Sequence, residues 1–125
     1  MVKLNYYPKT YGRKKGRRKN FSLNTYKNFI QEYSITDNIF KKKIIIEIGS
    51  GNGENVLHLS QNNKNKTIIA CEVYIDGNMS LIKNLRNNNI KNVKIFEKHC
   101  LIFIEKIPKQ SIDQYWILYP DPWPK

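Results

Sequence analysis

The chain has 125 residues, room for one small domain or for part of a larger one. Lys and Arg number 22 against 10 Asp and Glu, a net charge of +12, yet 40% of the residues are apolar and 12% aromatic, which excludes a wholly disordered basic tail. No apolar run approaches the ~20 residues of a membrane-spanning helix, and the opening MVKLNYYPKTYGRKKGRR lacks the apolar stretch of a secretory signal, so a cytoplasmic protein with no membrane partner is expected.

The charge is uneven. Residues 1–43 hold 12 of the 22 basic side chains and 2 of the 10 acidic ones, a net of +10; residues 44–125 hold 10 and 8, a net of +2. Residues 3–19 contain eight basic side chains and no acidic one, with Tyr6, Tyr7 and Tyr11 among them. No helical or strand period runs through them, so residues 1–20 read as an extended or disordered basic arm ahead of a folding unit over 21–125. The chain is also rich in Lys, Asn and Ile, with Ala70 its one alanine. That bias resembles AT-rich coding, so part of the lysine count says little about partners.

From Ser22 a helical pattern begins, with Ser22 as cap and Leu23, Tyr26, Ile30 and Tyr33 on one face. Residues 43–48 (KIIIEI) read as a strand buried on both faces and residues 54–61 as a helix. Residues 67–73 (TIIACEV) follow as a second strand. Asp76 is placed to cap a helix that turns Met79, Ile82 and Leu85 inward. Residues 93–96 form a third strand. Cys100, Phe103, Ile104 and Ile107 mark a helix stopped by Pro108, and residues 112–119 (IDQYWILY) form a fourth strand. Alternating strands and helices predict an α/β fold, a parallel sheet with helices on both faces. Cys71 and Cys100 lack metal-ligand spacing and read as reduced, buried thiols, so no metal is expected.

The first strand runs into Glu47-Ile48-Gly49-Ser50-Gly51-Asn52-Gly53. Glycines there allow a tight turn in which a ligand lies close to backbone N–H groups at a helix N-terminus. The pattern G-x-G-x-G differs from the dinucleotide fingerprint G-x-G-x-x-G, and a bare glycine turn also occurs without a ligand. Two carboxylates add to it. Glu72, at the end of the second strand, is placed to accept the hydroxyls of a ribose; the alternative is a solvated strand end. The ribose reading rests on Glu72 otherwise sitting uncompensated between Cys71 and Val73. Glu47 needs backbone donors or a cationic ligand. At the same sheet edge, Tyr119-Pro120-Asp121-Pro122-Trp123-Pro124-Lys125 forms a stiff loop. Its prolines suit an exit turn, while Asp121 offers charge, Trp123 a stacking or packing face, and Lys125 a cation for phosphate.

EIGSGNG, CEVY and YPDPWPK, in that order and spacing, resemble the bacterial tRNA (guanine-N7)-methyltransferases, S-adenosyl-L-methionine-dependent enzymes with a Rossmann-like class I methyltransferase core. The resemblance covers residues 44–125, and PDPW is its specific part. It implies S-adenosyl-L-methionine as cofactor and tRNA as partner. It places Glu47, Gly49, Ser50, Gly51 and Gly53 on the methyl donor and Glu72 on its ribose. The family's acid or amide near the adenine falls on or beside His99, which can donate a hydrogen bond but brings no permanent negative charge; an ordinary loop histidine is the other reading. Asp121 matches the active-site acid and a donor contact, and Lys125 matches a lysine that meets the RNA. Pro124 stands where many members have His. Arg13, Lys14, Lys15, Arg17 and Arg18, in a stretch similar to the arm of some members, would meet tRNA phosphates.

The implied activity is methyl transfer to N7 of a guanine in the tRNA variable loop. Two alternatives remain: a methyltransferase of the same fold with another RNA or protein substrate, and a truncated, non-catalytic RNA-binding remnant. The second rests on length. The family's strand order, 3-2-1-4-5-7-6, makes the fourth strand central, and four strands are counted here. The chain is therefore expected to be the N-terminal part of a longer methyltransferase domain, with Trp116, Ile117 and Leu118 on an uncovered edge.

Overall fold

The structure is a computed structural model and describes residues 23–108 and 110–117. Four strands, β1 (Ile44–Ile48), β2 (Thr67–Cys71), β3 (Val93–Phe96) and β4 (Ile112–Trp116), form one sheet in the order β3-β2-β1-β4. Every pairing is parallel. Helices α2 (Glu54–Asn62), α3 (Ile75–Asn87) and α4 (Cys100–Lys106) make the crossovers, and α1 (Leu23–Ile30) precedes the sheet. The four-strand α/β expectation and its strand order hold.

The β-branched runs are buried on both sides, as a central parallel sheet requires. Period-2 alternation then divides them. Ile45, Ile68, Ala70, Val93 and Ile95 face one cluster with Val56 and Leu59 of α2, Met79, Leu81, Ile82 and Leu85 of α3, and Tyr26 of α1. Ile44, Ile46, Ile69 and Cys71 face the other, with Ile39 and Phe103. Ile44, Ile45, Ile46, Ile68 and Ile69 are all 0% exposed, and each such burial is worth about 1.5–3 kcal/mol.

Several boundaries differ from those the sequence suggests. The helix from Leu23 ends at Ile30 and tightens into a 3-10 turn over Gln31–Tyr33; Tyr26 and Tyr33 are buried, but Leu23 is exposed. A second 3-10 turn, Asp37–Lys41, carries Ile39 into the core with no periodic signal long enough to announce it. β2 stops at Cys71, two residues early, because Glu72 and Val73 turn away to start α3. Asp76 does not cap α3: Tyr74 holds that position without a side-chain bond, and Asp76 lies in the first turn. β4 ends at Trp116 and Ile117 lies beyond it; residues 118 and 119 fall outside the described residues. β4 has β1 as its one strand neighbour among the described residues, with Tyr115 and Ile117 exposed and Trp116 half-buried. Cys71 and Cys100 are free thiols. Cys71 is buried and Cys100 only half-buried; burial pushes the Cys71 thiol up to about 12.

A buried polar chain ties α1 to the strand ends. The Tyr26 hydroxyl donates to Glu97 Oε2 at 3.1 Å and accepts from Asn78 Nδ2 at 3.3 Å. Asn78 Nδ2 also donates to the Glu72 carbonyl at 2.9 Å. Burial, chiefly, pushes the Tyr26 phenol up to about 12. On the surface, Arg86 of α3 bonds both oxygens of Glu32 at 2.9 and 2.8 Å and lies over the Phe29 ring at 4.4 Å. Tyr26→Phe removes only the hydroxyl and leaves buried Asn78 without that acceptor. Urea denaturation is expected to show a loss of about 1–2 kcal/mol; wild-type stability would mean the chain of bonds holds nothing together.

Candidate functional site

The site is built at the C-terminal ends of β1 and β2. Glu47 shares the Ile45 face of β1 and is 2% exposed. Its Oε1 accepts from Asn55 Nδ2 in α2 at 2.7 Å, while Oε2 is buried without a hydrogen-bond partner among the described residues. Burial pushes the carboxyl above its ordinary range; Asn55 works against that, and the nearby Glu72 charge adds to it. Among the described residues no backbone donor holds Glu47; of the two supports the sequence allowed, the backbone one is not seen there.

The loop after β1 is folded by its own backbone. Gly49 and Ser50 N–H donate to the Cys71 carbonyl at 2.8 and 3.2 Å, and Gly53 N–H donates to the Ser50 carbonyl at 2.9 Å. Gly51 N–H donates to Glu72 Oε1 at 2.8 Å. These four N–H groups are therefore already paired within the chain. What the loop offers is shape and acceptors. A Cβ built on Gly49 or Gly51 meets nothing within 4 Å, so the surface above them is open. The Ser50 hydroxyl is buried and unpartnered among the described residues. Gly53 is fixed differently: it sits at φ +83°, and a Cβ there would lie 2.5 Å from Leu81 Cδ1 of α3.

Glu72 is neither a solvated strand end nor uncompensated. Its Oε2 accepts from the N–H of Val73 at 2.8 Å and of Tyr74 at 3.3 Å, while Oε1 holds Gly51. The carboxylate pins the glycine loop to the start of α3. Three backbone donors satisfy the charge, so the need for compensation does not by itself call for a ribose; the remaining lone-pair directions stay open to one.

Three residues of α3 join the site that sequence reasoning did not single out for it. Gly77 backs onto the loop: a Cβ there would lie 2.5 Å from the Gly51 carbonyl oxygen. Asn78 is 0% exposed and holds the Glu72 carbonyl. Asp76, beside Gly77, has Oδ1 buried with no partner among the described residues. The one signal was a glycine in the first turn of a helix, where it lowers helix propensity and so points to a close approach.

His99 caps α4, its Nδ1 accepting from Leu101 N–H at 3.2 Å. That bond gives the ring a structural role. Asp121, Trp123, Pro124 and Lys125 lie outside the described residues, as do Arg13, Lys14, Lys15, Arg17 and Arg18. Among the described residues no helix is long and apolar enough to cross a membrane, and no three His, Cys, Asp or Glu side chains gather as a metal site would need.

The chemistry of the site is one-sided. Its loop N–H groups are used internally, and it presents the carboxylates of Glu47, Glu72 and Asp76 beside an open glycine surface. Such a site favours a cation over a phosphate, the reverse of a phosphate-binding loop. A methyltransferase family profile, described as "Putative methyltransferase", matches residues 41–125. The chain belongs to this methyltransferase family. Among curated relatives, the tRNA (guanine-N(7)-)-methyltransferase of Wolbachia pipientis is 40% identical over 85 residues, covering 68% of this chain and 38% of that protein. The enzyme of the same name from Neorickettsia sennetsu is 31% identical over 120 residues, covering 94% of this chain and 54% of its own. The chain thus spans about half or less of the relatives it matches. Among solved structures, precorrin-6y C5,15-methyltransferase from Geobacter metallireducens has a TM-score of 0.54 at 17% identity, over 82% of this chain and 51% of its own. An rRNA methylase from Streptococcus thermophilus has a TM-score of 0.52 at 14% identity, over 78% and 50%. At that identity these two likenesses establish the fold alone, a Rossmann-like α/β core.

Proposed function

We propose that this chain carries the methyl-donor site of a tRNA (guanine-N7)-methyltransferase. The observation that carries the donor assignment is the acidic glycine loop, with Glu47 Oε2 buried and without a partner among the described residues. S-adenosylmethionine bears a sulfonium and an ammonium, and it supplies a methyl group on positively charged sulfur. Glu47 and the surface of Gly49, Ser50, Gly51 and Gly53 would bind it, with Glu72 towards its ribose. The curated relatives that bear the tRNA (guanine-N(7)-)-methyltransferase name support the substrate.

Guanine N7 keeps a free lone pair at neutral pH, so no general base is needed. The bound donor would supply its methyl group to that lone pair, with the carbon–sulfur electron pair left on sulfur. No proton moves. The products are a neutral thioether and a cationic N7-methylguanine. The protein's part is positioning and electrostatics. Asp121, matched to the active-site acid, would stabilise the charge arriving on the purine. Residues 1–20 act as a basic arm on RNA phosphates ahead of a methyltransferase unit over 21–125, with Arg13, Lys14, Lys15, Arg17, Arg18 and Lys125 as contacts. The protein would act in the cytoplasm, where its tRNA substrate is made.

Methylation of tRNA by the full-length protein, with the modified position mapped, tests this reading. N7-methylguanine in the variable loop is expected, and Asp121→Ala should lose at least about 100-fold in methyl transfer while keeping RNA affinity. Methylation elsewhere, or an undiminished Asp121→Ala variant, would overturn it.

A further inference from the structure

We propose that Asn55 is a positioning residue for the donor: by holding Glu47 Oε1 it turns Glu47 Oε2 towards the donor's ammonium. The proposal rests on the donor-site reading of Glu47 above. Glu47 has a carboxyl group with two oxygens and, among the described residues, one side-chain partner. Asn55 Nδ2 lies 2.7 Å from Oε1, a short charge-assisted bond, and Oε2 is left buried with nothing to accept from. A buried carboxylate that could rotate would present a blurred target; one oxygen tied down fixes where the other lies. The tie comes from the first turn of α2, and Gly53, which ends the glycine loop, is the N-cap of that helix. The same few residues therefore shape the loop and aim the acid.

The bond also favours the ionised form of Glu47. Around Glu47, β2 leads to Glu72, whose charge opposes ionisation, while the Cys71 thiol lies on the opposite face of the sheet. β4 sets uncharged Trp116 opposite, and α2 carries exposed Glu54 next to Asn55. Burial and Glu72 both raise the Glu47 carboxyl, and Asn55 alone lowers it. The sign follows: an ammonium ligand needs the ionised acid, so affinity falls as pH drops through the Glu47 value, and losing Asn55 moves that fall to higher pH.

The test is calorimetry on the full-length protein with two ligands, S-adenosylmethionine and 5′-methylthioadenosine, which lacks the amino-acid tail. Asn55→Leu is expected to weaken S-adenosylmethionine about tenfold at neutral pH, to move the acid limb of its binding upward, and to leave 5′-methylthioadenosine unchanged. Asn55→Asp, of the same size, should lose at least as much and serves if the leucine variant misfolds. Equal losses for both ligands would make Asn55 merely structural, and an unchanged S-adenosylmethionine affinity would remove it from the site; either overturns the proposal. Glu47→Gln separates the two levels. If that variant binds the donor normally, the donor reading of Glu47 fails. If it loses binding while Asn55→Leu does not, the role of Asn55 alone fails.

Discussion

Gly77→Ala should lower affinity for S-adenosylmethionine about a hundredfold while the sheet stays folded. A Cβ at residue 77 would lie 2.5 Å from the Gly51 carbonyl oxygen and 3.0 Å from its carbon. The obstruction is backbone on both sides, so no side chain can swing away. Either α3 withdraws or the loop is pushed off the ends of β1 and β2. α3 is anchored by Met79, Leu81, Ile82 and Leu85 in the core, so the loop is the part that yields. Overpacking costs about 1–3 kcal/mol, and displacing Gly51 breaks its N–H bond to the Glu72 carboxylate, worth about 1.5–3 kcal/mol. About 3 kcal/mol of this reaching the donor site is a hundredfold in Kd. Calorimetry measures the affinity and circular dichroism the fold. Wild-type binding would mean that α3 does not set the position of the loop.

Glu72→Gln should cost a similar amount by a different route. The glutamine oxygen can still accept from Gly51 N–H, but its amide nitrogen then faces the N–H groups of Val73 and Tyr74, donor against donor. Turning the amide over transfers the conflict to Gly51. In either orientation at least one backbone donor loses its acceptor, and the loop or the start of α3 rearranges. The charge proposed to meet the donor's ribose hydroxyls is lost as well. A rise in donor Kd of about 100-fold is expected, since bonds to a charged group are worth about 1.5–3 kcal/mol. Asn78, which holds the Glu72 carbonyl rather than its carboxylate, should keep the helix in place, so thermal stability falls less than affinity. A variant that binds like the wild type would show that the loop is held by the Cys71 carbonyl alone.

Much of this architecture was legible in the residues because it depends on local pattern. Runs such as IIIEI and TIIAC, closed by glycine or by a turn, can only be short strands covered on both faces, and the helical spacings between them make the crossovers. The two site acids were legible for the same reason: a carboxylate at the end of an apolar strand needs an explanation. Their partners were not. An unbroken β-branched run has no polar alternation to say which face is which. That Glu47 lies on the α2 face, within reach of Asn55, follows only once the strands are paired.

The bonding of the loop was hidden for a related reason. Sequence shows that glycines permit a tight turn, but two acceptors of its N–H groups, the Cys71 carbonyl and the Glu72 carboxylate, lie about twenty residues away. Asp76 read as a cap because a residue's local type suits the role, whereas the chain path out of β2 set the cap two residues earlier, at Tyr74. What the sequence alone determined about this protein is the order of its elements, its strand-end acids, and the likeness of its loops to a methyltransferase family. Only the tertiary structure decided that four N–H groups of the glycine loop are taken up within the chain and that Gly77 backs it. It likewise decided that Glu47 keeps one buried oxygen without a partner among the described residues. Each depends on groups distant in the chain meeting within about 3 Å, the range over which hydrogen bonds and steric contacts act.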